Sequence, residues 1–154
     1  MLREDITAPI ISTFYEVFHD VGHGFVESVY ERCMVVGLRR RGFLAERQKR
    51  LIVRYYGIVV GRFKADLIVE NAVMVELKAC RSFDPAHEAQ LLNYLNACTI
   101  EVGLLLLFAP QPKVRRLILT NDRKPERRSG GWSVASYPET EHATARLEHR
   151  PSAR

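Results

Sequence analysis

Glu76 and Lys78 sit inside a run that is otherwise wholly apolar. In Val73-Met74-Val75-Glu76-Leu77-Lys78-Ala79 the hydrophobic residues specify a buried strand. Successive side chains of a strand point to opposite faces. Glu76 and Lys78 therefore share a face, with Cα atoms roughly 6–7 Å apart from the strand rise. Val75, Leu77 and Ala79 take the other face. Unpaired charge is costly to bury, so the face that carries Glu76 must meet a divalent cation or a partner carboxylate. A second short run, Phe63-Lys64-Ala65-Asp66, supplies a carboxylate of the right kind.

Asp66 precedes Glu76 by ten residues, with Glu70-Asn71 as a tight turn between them. The two carboxylates are thus expected on adjacent strands. Close carboxylates repel unless a cation binds between them or one takes up a proton. Oxygen-only ligation suits Mg²⁺ or Mn²⁺ rather than zinc. Such an ion polarises a phosphoryl oxygen and activates water. Lys78 is placed to orient that water and to stabilise charge on a phosphate.

The rest of the chain reads as a frame for this pair. Ile10, Ile11, Phe14, Val17 and Phe18 give a helix from about Thr7 to Asp20, broken by Gly22 and Gly24. A second helix from about Phe25 to Arg41 ends in three arginines and Gly42. Cations at a helix C-terminus complement its dipole, and glycine suits the position after it; phosphate contact is the alternative for the arginines. From Ala45 the period becomes that of strands: Leu51–Tyr55, a turn at Tyr56-Gly57, Ile58–Val60, Phe63–Val69 and Val73–Ala79. Asp84-Pro85 opens a helix running to about Cys98. The unbroken apolar run at Gly103–Phe108 predicts a strand covered on both faces, and Val114–Leu119 an edge strand. The order is α-α-β-β-β-α-β-β, an α/β mixed sheet flanked by helices.

Composition bounds the rest. The 154 residues are 47% hydrophobic and 27% charged, which suits one globular domain over residues 1–120. Residues 121–154 are rich in charge, Ser, Gly, Pro and Thr, and read as a disordered or loosely attached tail. No apolar run nears the ~20 residues of a membrane span. The acidic N-terminus is not a signal peptide, so the expected location is cytoplasmic. Net charge is +5, with +3 of it over residues 1–120. That is compatible with a polyanion partner without establishing one. Cys33, Cys80 and Cys98 form no CxxC pair and read as plain thiols. His19, His23 and His87 read as solvent-facing or capping residues, and Tyr55-Tyr56 as strand packing, with base stacking the alternative.

Asp66 followed by Glu76-Leu77-Lys78 resembles the signature of the PD-(D/E)XK nuclease superfamily. Gly24-x-x-Glu27-x-x-Tyr30, Ala65-Asp66, Glu76-Leu77-Lys78-Ala79 and His87-Glu88-Ala89-Gln90-Leu91-Leu92-Asn93-Tyr94 together look like its bacterial GxxExxY branch, over roughly Ile10 to Val114. The resemblance implies a restriction-endonuclease-like fold and a Mg²⁺-dependent (or Mn²⁺-dependent) nuclease. Asp66 and Glu76 would be metal ligands, Lys78 the catalytic lysine, and Glu27 a further acidic ligand. Gln90 and Tyr94 would form an added element beside the site. The implied partner is nucleic acid, DNA ahead of RNA, in repair or defence. The alternative is a non-catalytic module that binds nucleic acid or a protein. Two positions depart from the pattern. Ala65 replaces the proline of the superfamily's name, and Leu107 stands where a polar residue is expected.

Overall fold

The computed structural model describes residues 1–124 and 132–136. Two helices come first, α1 (Glu4–Val21) and α2 (Glu27–Arg40). Strands β1 (Ala45–Tyr55), β2 (Ile58–Val69) and β3 (Val73–Lys78) follow, then α3 (Pro85–Ala97), β4 (Val102–Leu107), β5 (Lys113–Ile118) and β6 (Trp132–Ser136). They build one six-stranded sheet in the order β5-β4-β3-β2-β1-β6. Among the described strands only β3 and β4 pair in parallel, because α3 carries the chain across between them. The helices cover both faces, as expected of a restriction-endonuclease-like α/β fold. Among the described residues no helix is long and apolar enough to cross a membrane.

The helix ends follow local chemistry. At α3 the Asp84 carboxylate accepts the Ala86 N–H at 2.8 Å, and the Asp84 N–H donates to His87 Nδ1 at 3.1 Å. His87 is thus a capping residue. At α2 the Gly42 N–H reaches the Arg39 carbonyl at 2.9 Å and the Phe43 N–H reaches Leu38 at 3.0 Å. Gly42 supplies the left-handed φ of +85° that this closure requires. Gly37 lets α1 and α2 approach, since a Cβ there would meet Thr13 at 2.6 Å.

Two strand boundaries differ from the sequence reading. Ile58–Val60 and Phe63–Val69 are one strand, in which the shift from Val53↔Gly61 to Arg54↔Val59 leaves Val60 as the extra residue of β2. β1 starts at Ala45, six residues before Leu51, through polar residues that pair back to Val69. Much of the expected tail lies outside the described residues. Within it, Asn121–Arg123 forms a 3-10 turn, the Lys124 ammonium donates to the Cys98 and Ile100 carbonyls at 2.7 and 2.8 Å, and β6 pairs antiparallel with Leu51–Tyr55.

Two cores lie either side of the sheet. Val73, Val75, Leu77, Leu67 and Val69 pack towards α1 and α2, and Met74, Ile68 and Ala65 pack with Leu91 and Leu95 of α3. Residues two apart on a regular strand share a face. Ala65 and Leu67 nevertheless lie in opposite cores, so β2 inverts its faces at Asp66. β1 inverts beside it: Ala45 belongs to the first core and Leu51 to the second. Between them Gln48 has φ +51°, a left-handed conformation uncommon outside glycine.

Candidate active site

The inversion at Asp66 is what frees polar groups inside an apolar sheet. The β2–β3 ladder runs from Val69↔Val73 to Leu67↔Val75. One step further stand Asp66 and Glu76, and there side chains take over the pairing. Glu76 Oε1 accepts the Asp66 N–H at 3.2 Å, and Asp66 Oδ2 accepts the Leu77 N–H at 2.9 Å. Each carboxylate is therefore fastened to the other's strand.

Glu76 is 3% exposed. Burial pushes its carboxyl up to about 9, and the negative charge of Asp66 and a hydrogen bond between the two carboxyl groups push the same way. The Asp66 N–H and the Lys78 ammonium oppose this only in part. The pair thus prefers to hold a proton, as like charges in a dry site must.

A third acid joins from α2, and it is not Glu27. Glu31 is buried and accepts from Gln48 Nε2 at 2.9 Å and from Arg47 Nε at 3.1 Å. The same Gln48 amide nitrogen lies 3.4 Å from Asp66 Oδ1. Burial raises the Glu31 carboxyl, with Asp66 adding to the shift and Gln48 and Arg47 opposing it. Gln48 and Glu31 escaped the sequence reading. Glu31 carried a signal, since it lies one helical turn after Glu27 and so on the same face. Gln48 carried none, because among Arg47, Lys49 and Arg50 no apolar alternation marks an inward position.

Glu27 itself is exposed, and its Oε1 lies 3.4 Å from the Ala79 N–H, just past the end of β3. It stands at the mouth of the site and does not complete a set with Asp66 and Glu76. Among the described residues no three His, Cys, Asp or Glu side chains gather closely enough to hold an ion. The tyrosine of the same segment explains the segment's position. Tyr30 is fully buried, stacks on Phe108 at 3.9 Å, donates to the Gly22 carbonyl at 2.7 Å and accepts the Phe25 N–H at 3.2 Å. Gly24, at φ +107°, turns the chain into α2.

Lys78 reaches α3. Its Nζ lies 3.4 Å from Gln90 Oε1, and Gln90 Nε2 donates to the Tyr94 hydroxyl at 3.0 Å. Tyr94 stacks on Phe63 of β2 at 4.2 Å. The structure thus brings Asp66, Glu76, Lys78, Gln90 and Tyr94 together. Leu107 pairs with Lys78 in register and is fully buried, so β4 adds no polar group there. A cleft of about 250 Å³ lies beyond β3, lined by residues that include Phe25, Ala79, Arg81 and Phe108. Tyr55 and Tyr56 are not strand packing: they are 56% and 68% exposed at the β1–β2 turn.

The model of the PD-(D/E)XK nuclease superfamily matches residues 4–117 of this chain. No curated protein matches its sequence. Among solved structures it is similar to that of SSO0001, with 19% identity and a TM-score of 0.47 over 76% of this chain and 59% of that one. The chain spans about three fifths of that protein's length.

Proposed function

The chain belongs to the PD-(D/E)XK nuclease superfamily, and we propose that it hydrolyses phosphodiester bonds of nucleic acid with a divalent cation held by Asp66 and Glu76. The observation that carries this reading is the buried Glu76 carboxyl, held against Asp66 and raised to about 9. Two carboxyl groups facing each other in a dry site cannot both ionise unless a cation binds between them. The donors are all oxygen, which suits Mg²⁺ or Mn²⁺, and Mg²⁺ is commonly held by one or two carboxylates with water and substrate phosphate completing its shell. Two carboxylates without a third therefore fit such an ion. When bound, it supplies charge stabilisation at the phosphoryl oxygen and lowers the pKa of the attacking water.

The chain's own residues do the rest. The Leu77 N–H fixes the Asp66 carboxylate, and the Asp66 N–H fixes that of Glu76. Gln48 ties Asp66 to Glu31 and so sets its rotation. Lys78, held by Gln90 and through it by Tyr94, presents its ammonium to the attacking water and to charge growing on the phosphate. Glu27 holds the Ala79 N–H and so fixes where β3 ends after Lys78. The Gly24, Glu27 and Tyr30 set supports placement in the GxxExxY branch.

The test is incubation of purified protein with single- and double-stranded DNA and RNA in Mg²⁺, Mn²⁺ or EDTA, beside Glu76→Ala. Cleavage that needs the ion and is absent from Glu76→Ala supports the reading. Binding of nucleic acid without cleavage in any ion would replace it with a non-catalytic module.

A further inference from the structure

The distal half of the β1–β2 hairpin is unlike the rest of the chain in charge. Residues 47–64 hold Arg47, Lys49, Arg50, Arg54, Arg62 and Lys64 and no acid. The remainder of residues 1–120, with ten Lys and Arg against thirteen Asp and Glu, is net acidic. The cations are also ordered by the pairing. Arg50 stands opposite Lys64 and Ile52 opposite Arg62. Directly opposed residues share a face, as do residues two apart. Arg50, Arg62 and Lys64 therefore lie on one face of the hairpin.

The β2 side of that face is also exposed. On β2 Ile58, Val60, Arg62 and Lys64 are all exposed, while Val59, Gly61 and Phe63 between them are partly covered. Ile58 and Val60 are 69% and 61% exposed, next to the tyrosines at the turn. The stripe starts at Tyr55-Tyr56 and ends two residues before Asp66. Eight residues separate Ile58 from Asp66, roughly 25 Å of strand. That distance corresponds to about seven nucleotides at duplex spacing.

We propose that this hairpin is an arm that binds a single-stranded segment of nucleic acid, with its cations along the phosphates and Tyr55 or Tyr56 stacked on a base some 25 Å from the carboxylates. Exposed aromatics combined with a cationic track are the physical requirements for holding unpaired nucleotides. A second copy of the chain is a poor occupant for the same apolar tip, because it would set two acid-free cationic stripes against each other. The inference rests on the nuclease reading and narrows its substrate to one with unpaired bases.

Fluorescence anisotropy in EDTA tests it, with a labelled single strand of about 20 nucleotides, long enough for one site, and a blunt duplex of the same sequence. The variants are Tyr55→Ala/Tyr56→Ala and Arg62→Ala/Lys64→Ala, with melting curves as the folding control. The tyrosine variant is expected to bind the single strand about tenfold or more weakly and the duplex as wild type does. The cation variant is expected to reduce the salt slope on the single strand by about 1.4, or 0.7 per cation. A tyrosine variant that binds the single strand as tightly as wild type overturns the arm, as does one whose defect tracks a change in oligomeric state by sedimentation. Wild-type cleavage run in parallel separates the failures. Cleavage with unaffected tyrosine variants removes the arm alone, whereas neither binding nor cleavage by wild type removes the nuclease reading as well.

Discussion

Asp66 and Glu76 hold each other across two strands: the Glu76 carboxylate accepts the Asp66 backbone N–H at 3.2 Å, one step past the last regular pair, Leu67↔Val75. The sheet thus gives up a rung of its ladder at one place, and two carboxylates fill it. The arrangement makes the site part of the fold, so that its electrostatics must show in stability as well as in activity.

Stability without metal is expected to fall as pH rises. The folded Glu76 carboxyl is raised from 4.5 to about 9, so the native state keeps a proton that the unfolded chain releases. Its contribution is fully present below 4.5 and is lost as pH climbs towards 9. Glu31, also raised, acts in the same direction. Urea unfolding in EDTA across this range should show the decline, Glu76→Gln should flatten it, and Mn²⁺ should offset it at the alkaline end. A wild-type slope of opposite sign would mean that Glu76 is ionised without a cation.

Gln48 separates backbone strain from bridging. Gln48→Ala leaves Glu31 short of a donor and is expected to cost about 1–3 kcal/mol. Gln48→Gly loses the same amide but relieves the φ of +51°, and should be more stable than the alanine variant by about 1 kcal/mol. Denaturation midpoints compare them directly. Equal midpoints would show that the left-handed conformation stores no strain.

Tyr30 anchors the entry to α2 by its hydroxyl and its ring separately. Tyr30→Phe keeps the stack on Phe108 and loses the bonds to Gly22 and Phe25, for an expected cost of about 1 kcal/mol. Tyr30→Ala also empties a buried ring, at about 3–5 kcal/mol. If phenylalanine proves as costly as alanine, the hydroxyl and not the stack holds this segment.

Much of this architecture was legible in the residues, because the signals were local. Asp84-Pro85 set the start of α3, Gly42 the end of α2, and the uninterrupted leucines of β4 a strand covered on both faces. Glu76 and Lys78 stood out because strand alternation leaves charge nowhere to hide in an apolar run. What was hidden depended on partners distant in sequence. The polar half of β1 becomes a strand only by pairing with β2, and Glu31 becomes buried only when Arg47 and Gln48 come to meet it. Glu27 entered as a further ligand through the resemblance alone, yet Glu31 in the next turn is the acid that faces the sheet. The tyrosines at 55 and 56 read as packing because aromatic strand residues usually pack; here the hairpin runs beyond the helices that would cover them.

The central claim is that Asp66 and Glu76 hold a cation on which Lys78 depends for catalysis but not the reverse. Calorimetric Mn²⁺ titration beside a cleavage assay, on wild type, Lys78→Ala, Asp66→Ala and Glu76→Ala, tests it most directly. Lys78→Ala should lose cleavage and keep the ion, with affinity unchanged or slightly higher because a nearby positive charge is gone. Asp66→Ala and Glu76→Ala should lose both. Wild-type protein that binds no Mn²⁺ at millimolar concentration, or Lys78→Ala that cuts as fast as wild type, would contradict the account.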